Sequence, residues 1–174
     1  MALHFSKQEF EKRKLAILNS MKEQNLDALL MFRQESMFWL TGYDTFGYVF
    51  FQTLILDQKG NIILLTRAPD LRQAQNTSNI EDIRIWVDKD QSNPTDDLKI
   101  ILNELNLKGK KIGIEYEAYG MTGRNALKLN KSLKDYCEVE DQSELITKHR
   151  VIKSTEEIVY VKKAAELADL GLDE

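Results

Sequence analysis

Phe46-Gly47-Tyr48-Val49-Phe50-Phe51-Gln52-Thr53-Leu54-Ile55-Leu56, then Asp57-Gln58-Lys59-Gly60-Asn61, then Ile62-Ile63-Leu64-Leu65-Thr66: the fold class turns on how this stretch is read. The first segment is dense in aromatic and β-branched residues, which suit a pleated surface. The second is polar and contains Gly, so it turns the chain. The third is apolar again. Together they predict a β-hairpin with a strand over Phe46–Leu56 and its return over Ile62–Thr66. On such a strand Tyr48, Phe50 and Gln52 point one way and Val49, Phe51 and Thr53 the other. Apolar residues on both faces predict a strand covered on both sides.

Working outward, helices alternate with short apolar runs. Ser6 and Glu9 have the spacing of a capping box, with Phe5 and Phe10 placed to staple it. Phe10, Ile17, Leu18 and Met21 then lie on one side at helical spacing, and the helix is expected to end near Gln24-Asn25. Leu26 to Phe32 reads as a buried strand, and Gln34 to Thr41 as a short helix or turn entering Gly42. Downstream the expectations are a helix over Asp70–Asn76 and a strand over Ile83–Val87. A helix capped by Asn93 with Pro94 in its first turn follows, then a strand over Lys111–Glu115. A helix over Thr122–Leu133, a strand over Tyr136–Val139 and a helix over Asp141–Arg150 come next. A second capping box, Ser154 with Glu157, starts a last helix with Ile158, Val161, Ala165 and Ala168 on one face. This order predicts an α/β domain, a mixed β-sheet with helices on both faces in three layers. The expected division is 1–150 for the α/β unit and 151–174 for the last helix.

Composition narrows the function classes. The formal net charge is −4, and the 24 Lys and Arg are dispersed, which argues against a nucleic-acid binder. A single cysteine, Cys137, suits a reducing compartment. The N-terminal residues lack the basic-then-apolar pattern of a signal peptide, and no apolar run approaches the roughly 20 residues that span a bilayer. The expectation is a cytoplasmic protein without a membrane segment.

A search for chemistry returns little. The two histidines, His4 and His149, lie far apart in sequence, and neither has a metal-ligating partner at helical spacing. They read as surface or capping residues, and Cys137 reads as a small apolar side chain. No serine stands in a nucleophile elbow, and Gly109-x-x-x-Gly113 enters a strand rather than leading from strand to helix, as a dinucleotide loop does. What stands out is an aromatic concentration: Phe38, Trp39, Tyr43, Phe46, Tyr48, Phe50 and Phe51 fall within residues 38–51. The plain reading is core packing. The functional reading is an aromatic contact for a partner or ligand. The loop Tyr43-Asp44-Thr45 between Gly42 and Gly47 favours the latter for that part.

The same residues carry a family resemblance. Leu40-Thr41-Gly42-Tyr43-Asp44 resembles the Leu-Thr-Gly-aromatic motif of the creatinase/prolidase family. In the family's order lie Leu26-Asp27-Ala28-Leu29-Leu30, Gly109-Lys-Lys-Ile-Gly-Ile-Glu115 and Arg150-x-x-Lys153-Ser154-x-x-Glu157-Ile158, the last followed by Lys163-Ala164-Ala165. The resemblance covers essentially the whole chain, but only the family's N-terminal domain, whose fold it implies is ribonuclease H-like. It implies a non-catalytic domain of an Xaa-Pro dipeptidase/aminopeptidase-like metallohydrolase that helps form a homodimer and covers the active site. Residues 151–174 would then lead to a catalytic "pita-bread" domain holding two divalent metal ions, manganese or cobalt, with none held here. The implied partners are that C-terminal catalytic domain, a second copy, and a small peptide or amide substrate. By position Tyr48 and Phe50 match creatinase strand residues that face substrate, and Trp39, Tyr43 and Asp44 lie in or beside the motif. Two departures are visible. Gln34-Glu35-Ser36-Met37 stands where many prolidases carry an Asn. Phe50 stands where creatinase places an Arg, which speaks against creatine and leaves the peptide or amide specificity open. The alternative is a stand-alone binding or interaction domain without hydrolase activity, and a nucleotide-binding α/β domain is a third reading.

Overall fold

A computed structural model describes residues 3–172. Helix α1 (Lys7–Glu23) leads into strand β1 (Ala28–Met31), helix α2 (Gln34–Thr41), and the hairpin β2 (Thr53–Asp57) and β3 (Ile62–Arg67). Then come α3 (Leu71–Thr77), β4 (Asp82–Trp86), α4 (Pro94–Glu104) and β5 (Lys111–Ile114). The chain continues through α5 (Gly123–Leu133), β6 (Glu138–Asp141), α6 (Leu145–Val151) and α7 (Thr155–Leu172). Among the described residues no helix is long and apolar enough to cross a membrane.

The six strands form one mixed sheet in the order β4-β3-β2-β1-β5-β6. β1 pairs antiparallel with β2 and parallel with β5. Alternation along β1 sorts its side chains to opposite faces. Ala28 and Leu30 join Ile55, Ile63, Ile112 and Ile114 under Leu98, Ile101 and Leu102 of α4 and Leu129 and Leu133 of α5. Leu29 and Met31 join Leu54, Leu56 and Leu64 under Ile17 and Met21 of α1, Met37 and Leu40 of α2, Ala74 of α3 and Ile146 of α6. Two buried layers on one sheet make the expected three-layer α/β sandwich. β1 is buried along its whole length because both faces are covered.

The hairpin exists but is shorter than its sequence suggests. The strand expected over Phe46–Leu56 begins only at Thr53, and residues 47–49 form a 3₁₀ turn closed by the Phe50 amide donating to the Gly47 carbonyl at 2.9 Å. The cause lies in the partner strand. β3 ends at Arg67, where Ala68-Pro69-Asp70 turns as a 3₁₀ helix, and proline has no N–H to extend a ladder. Thr53 opposite Leu65 starts the pairing, and in that register Phe46–Phe50 would fall beyond Arg67, with no strand to lie beside. The turn after β2 is built by Asp57, whose carboxylate accepts from the amides of Lys59 and Asn61 and from the Asn61 side chain.

Other expectations shift for local reasons. The last strand lies at Glu138–Asp141 rather than over Tyr136–Val139, because Asp135 takes a positive φ of 60° and Tyr136 still closes the end of α5. The helix expected from Asp141 begins at Leu145. Asp141 instead accepts from the Ser143 amide and hydroxyl at 2.9 and 2.6 Å and makes a turn. Asn93 occupies the position before α4, but its side chain donates to Asp96 rather than capping the backbone. The Ser154–Glu157 capping box forms reciprocally at 2.7 and 3.2 Å. The Ser6–Glu9 box forms only by half: Ser6 Oγ accepts from the Glu9 amide, while the Glu9 carboxylate turns to Arg13.

At the end of β5 the Glu115 carboxylate is wholly buried. One oxygen accepts from the amides of Phe32 and Arg33 at 3.1 and 3.0 Å, and the other from the Ser36 hydroxyl at 2.6 Å. It therefore ties the end of β1, the first turn of α2 and the end of β5 together. Burial pushes its pKa up to about 7, and those donors, Ser36 foremost, only partly offset the desolvation. A carboxyl whose folded value is raised adds stability that is full below its ordinary range near 4.5 and is lost as pH rises through about 7. A shift of that size is worth about 3 kcal/mol. Gln at this position keeps an acceptor for the two amides and stays neutral. Glu115→Gln should therefore melt close to the native chain at pH 5 and above it at pH 8, by on the order of 5–10 °C. Thermal melts of both proteins across this range check it; a pH-independent difference would refute it.

Candidate functional site

Residues 44–52 leave the sheet as a loop whose backbone is pinned while several of its side chains face water. Thr45 Oγ1 accepts from the Gly47 amide at 2.9 Å, Thr77 Oγ1 from the Asp44 amide at 3.2 Å, and Gln73 Oε1 from the Phe46 amide at 3.3 Å. Gly47 packs so closely on Asp70 that a Cβ there would lie 2.6 Å from its carboxylate oxygen. Gly120 is closer still: a Cβ would stand 2.2 Å from the Phe50 carbonyl oxygen. The Arg67 guanidinium, held by Asp70 at 3.0 Å, lies 3.4 Å over the Phe50 ring. Tyr48 meets Tyr119 edge to face, 5.6 Å between centroids. Yet Phe46 is 85% exposed, Val49 49% and Phe50 41%. A fixed loop that leaves such side chains in water forgoes the burial that normally rewards them, the hallmark of a contact surface.

Two clefts flank this loop and share Gln34, Glu35 and Arg150. One, of about 480 Å³, lies against Phe5, Phe38, Trp39 and residues 43–45, with Lys153 on its rim. The other, of about 420 Å³, is lined by Arg33, Tyr48, Glu117 and Tyr119. Arg33 spans the second cleft, donating to the Glu117 carbonyl and carboxylate and to Thr147. Two buried polar atoms at the shared wall and floor, Glu35 Oε2 and Trp39 Nε1, have no partner among the described residues.

The five residues singled out from sequence separate accordingly. Trp39 lines the first cleft while mostly buried. Tyr43 is fully buried; its hydroxyl donates to Gln52 at 3.1 Å, and burial pushes its pKa above the ordinary tyrosine value. Its place is that of a packing residue against Gln52 and Thr66. Asp44 is exposed at the mouth of the same cleft, Tyr48 lines the other, and Phe50 stands on the exposed ridge under Arg67. Sequence reasoning missed Arg33, Arg67 and Tyr119, which carry no motif. Arg150 belongs to the linking motif, but nothing in its spacing assigns it to a cleft.

Two further groups lie away from the loop. Burial pushes the Cys137 thiol up to about 11, so it stays protonated. Burial lowers His149, whose ring lies 2.9 Å from the Ser20 hydroxyl. Among the described residues no group of three or more His, Cys, Asp or Glu converges as a metal site.

Comparison with known proteins places this geometry. A family model described as the creatinase/prolidase N-terminal domain matches residues 13–152. The chain is 28% identical to an uncharacterised hydrolase/peptidase of Sinorhizobium fredii, covering 96% of this chain and 44% of that protein. It is 25% identical to the ectoine hydrolase of Halomonas elongata, covering 96% and 43%. A solved prolidase from Thermococcus sibiricus superposes with a TM-score of 0.77 at 22% identity, over 94% of this chain and 43% of that one. The chain thus spans less than half the length of these three proteins.

The close approach at Gly120 is open to a direct check. Gly120→Ala should destabilise the chain by about 1–3 kcal/mol, because the methyl must displace the Phe50 carbonyl. Gly123, in the first turn of α5, is its control, since a methyl there would meet nothing within 4 Å. Gly123→Ala should be neutral or stabilise by up to about 1 kcal/mol. Urea midpoints of the two variants should move in opposite directions or differ by at least that margin.

Proposed function

Because the chain belongs to the creatinase/prolidase N-terminal domain family, we propose that it is the non-catalytic front part of a hydrolase of the Xaa-Pro dipeptidase or aminopeptidase P type. Its role in that reading is to form a homodimer and to cover an active site built by a C-terminal catalytic domain. That domain would hold two divalent metal ions, manganese or cobalt, and the substrate would be a small peptide or amide. The observation that supports the reading is the pinned, outward-facing loop from Asp44 to Phe50 beside its two clefts. A cover must present a shape fixed in advance, since ordering a loose loop on each binding event costs affinity.

The residues divide the work. Tyr48, braced by Tyr119, faces the cleft lined by Arg33 and Glu117, where a substrate chain would be gripped by a mixed polar and aromatic wall. Phe50, Val49 and Phe46 form the apolar ridge that would close against the catalytic domain and exclude water. Asp44 and Arg150 offer one charge of each sign near that ridge.

Two measurements test the reading. The 174-residue chain alone should bind no stoichiometric manganese and hydrolyse no Xaa-Pro dipeptide; turnover by it would overturn the assignment. In a protein that carries the hydrolytic half, Tyr48→Ala should lower kcat/KM by roughly tenfold with metal content unchanged. Unchanged kinetics would return Tyr48 to a packing role.

A further inference from the structure

Helix α7 is attached to the α/β body by its first turns alone. None of its residues is buried, and only Glu156 and Glu157 are half-buried; Thr155 and everything from Ile158 to Leu172 are exposed. Those two carboxylates are fully engaged. Glu156 accepts from the Ser6 amide at 2.9 Å and from the Ser6 hydroxyl at 2.6 Å. Ser6 is the cap of α1, so Glu156 fills the place that Glu9 would take in a capping box had it not turned to Arg13. Glu157 caps its own helix with one oxygen and sets the other 3.5 Å from the buried Arg13 guanidinium. One turn on, the Tyr160 hydroxyl donates to the His4 carbonyl at 2.7 Å, and its ring meets Phe5 at 5.5 Å. Arg13 closes the group from below, 4.1 Å from the Phe5 ring, with its guanidinium donating to the Trp39 carbonyl at 2.7 Å.

We propose that Glu156 and Tyr160 form a latch that sets the direction in which α7 leaves the body, with Ser6 and His4 as its keeper. A capping box shared between two helices suits this role, because a short carboxylate bridge tolerates little change of angle, whereas an apolar contact slides. Leverage makes the angle matter. Leu172 lies sixteen residues beyond Glu156, about 24 Å along a helix. A tilt of roughly 10° at the latch would carry that end about 4 Å, more than a catalytic arrangement tolerates. Glu156 is held below the usual carboxylate range by its bonds from the Ser6 side chain and backbone. It stays charged and bound at neutral pH, and the bonds weaken only as pH falls through that lowered value. The consequence for a covered active site rests on the functional reading above; the latch itself does not.

The test measures direction. Spin labels go on Lys59→Cys of the hairpin turn and Leu170→Cys of α7 in a Cys137→Ala background, and pulsed dipolar spectroscopy gives the distance between them. With Glu156 intact the distribution should be single and narrow. Glu156→Ala should at least double its width, and adding Tyr160→Phe should widen it further. Glu156→Gln, whose carbonyl still accepts one Ser6 hydrogen, should recover part of the order. Melting temperatures should stay within a few degrees of the parent, because the sheet is untouched. A broad distribution in the parent, an unchanged one in Glu156→Ala, or widening only alongside a large loss of melting temperature would each overturn the latch.

Discussion

The buried carboxylate of Glu115 is the constraint on which the working face depends. It sits where three elements meet: the end of β1, the start of α2 and the end of β5. Without an acceptor there, the amides of Phe32 and Arg33 would be stranded at a buried helix start, an expensive condition. Those contacts place Arg33 at the mouth of its cleft and aim Gln34 and Glu35 into the wall shared by both clefts. The site geometry is thus a by-product of satisfying a helix start with an acid from a neighbouring strand. An acid poised near 7 also makes this junction sensitive to pH.

The parts of the fold legible in the sequence are those set by local pattern. The α1 face, the turn at Asp57–Asn61, the start of α4 at Asn93-Pro94 and the Ser154–Glu157 box all depend on residues within a few positions of one another. The failures share a different cause. Residues 46–50 carry strong β-propensity, yet a strand needs a neighbour, and the turn at Pro69, further along the chain, ends β3 before it could reach them. Glu9 has ideal spacing for its box, yet Arg13 offers a stronger, charged partner, and Glu156 arrives from the far end of the chain. In both, a contact outside the local pattern overrides a local preference.

The candidate site divides in the same way. The aromatic concentration from Phe38 to Phe51 was visible, but which of its members face water was not. Tyr43 and Phe51 go to the core and Phe46 and Phe50 to solvent, and period-two alternation cannot tell them apart once the strand is absent. The residues that hold the loop in place, Arg67, Asp70 and Gly120, carry no signature because each acts across space on a backbone atom or a ring. Chain motifs report the elements; the bracing between them is tertiary.

The same logic connects the two ends of the molecule. The N-terminal cap of α1 and the first turn of α7 are remote in sequence but share one carboxylate bridge, and the first cleft lies directly beside it, with Phe5, Lys153 and Glu157 in its lining. The first turn of α7 thus lines, through Glu157, a cleft that the start of α2, held by Glu115, also lines. The loop supplies a surface, Glu115 holds the start of α2 in the wall of the clefts beside it, and the Ser6–Glu156 bridge ties the first turn of α7 to the cap of α1. A shape held this way rests on polar bridges between elements remote in sequence, each set by tertiary contact rather than by local pattern.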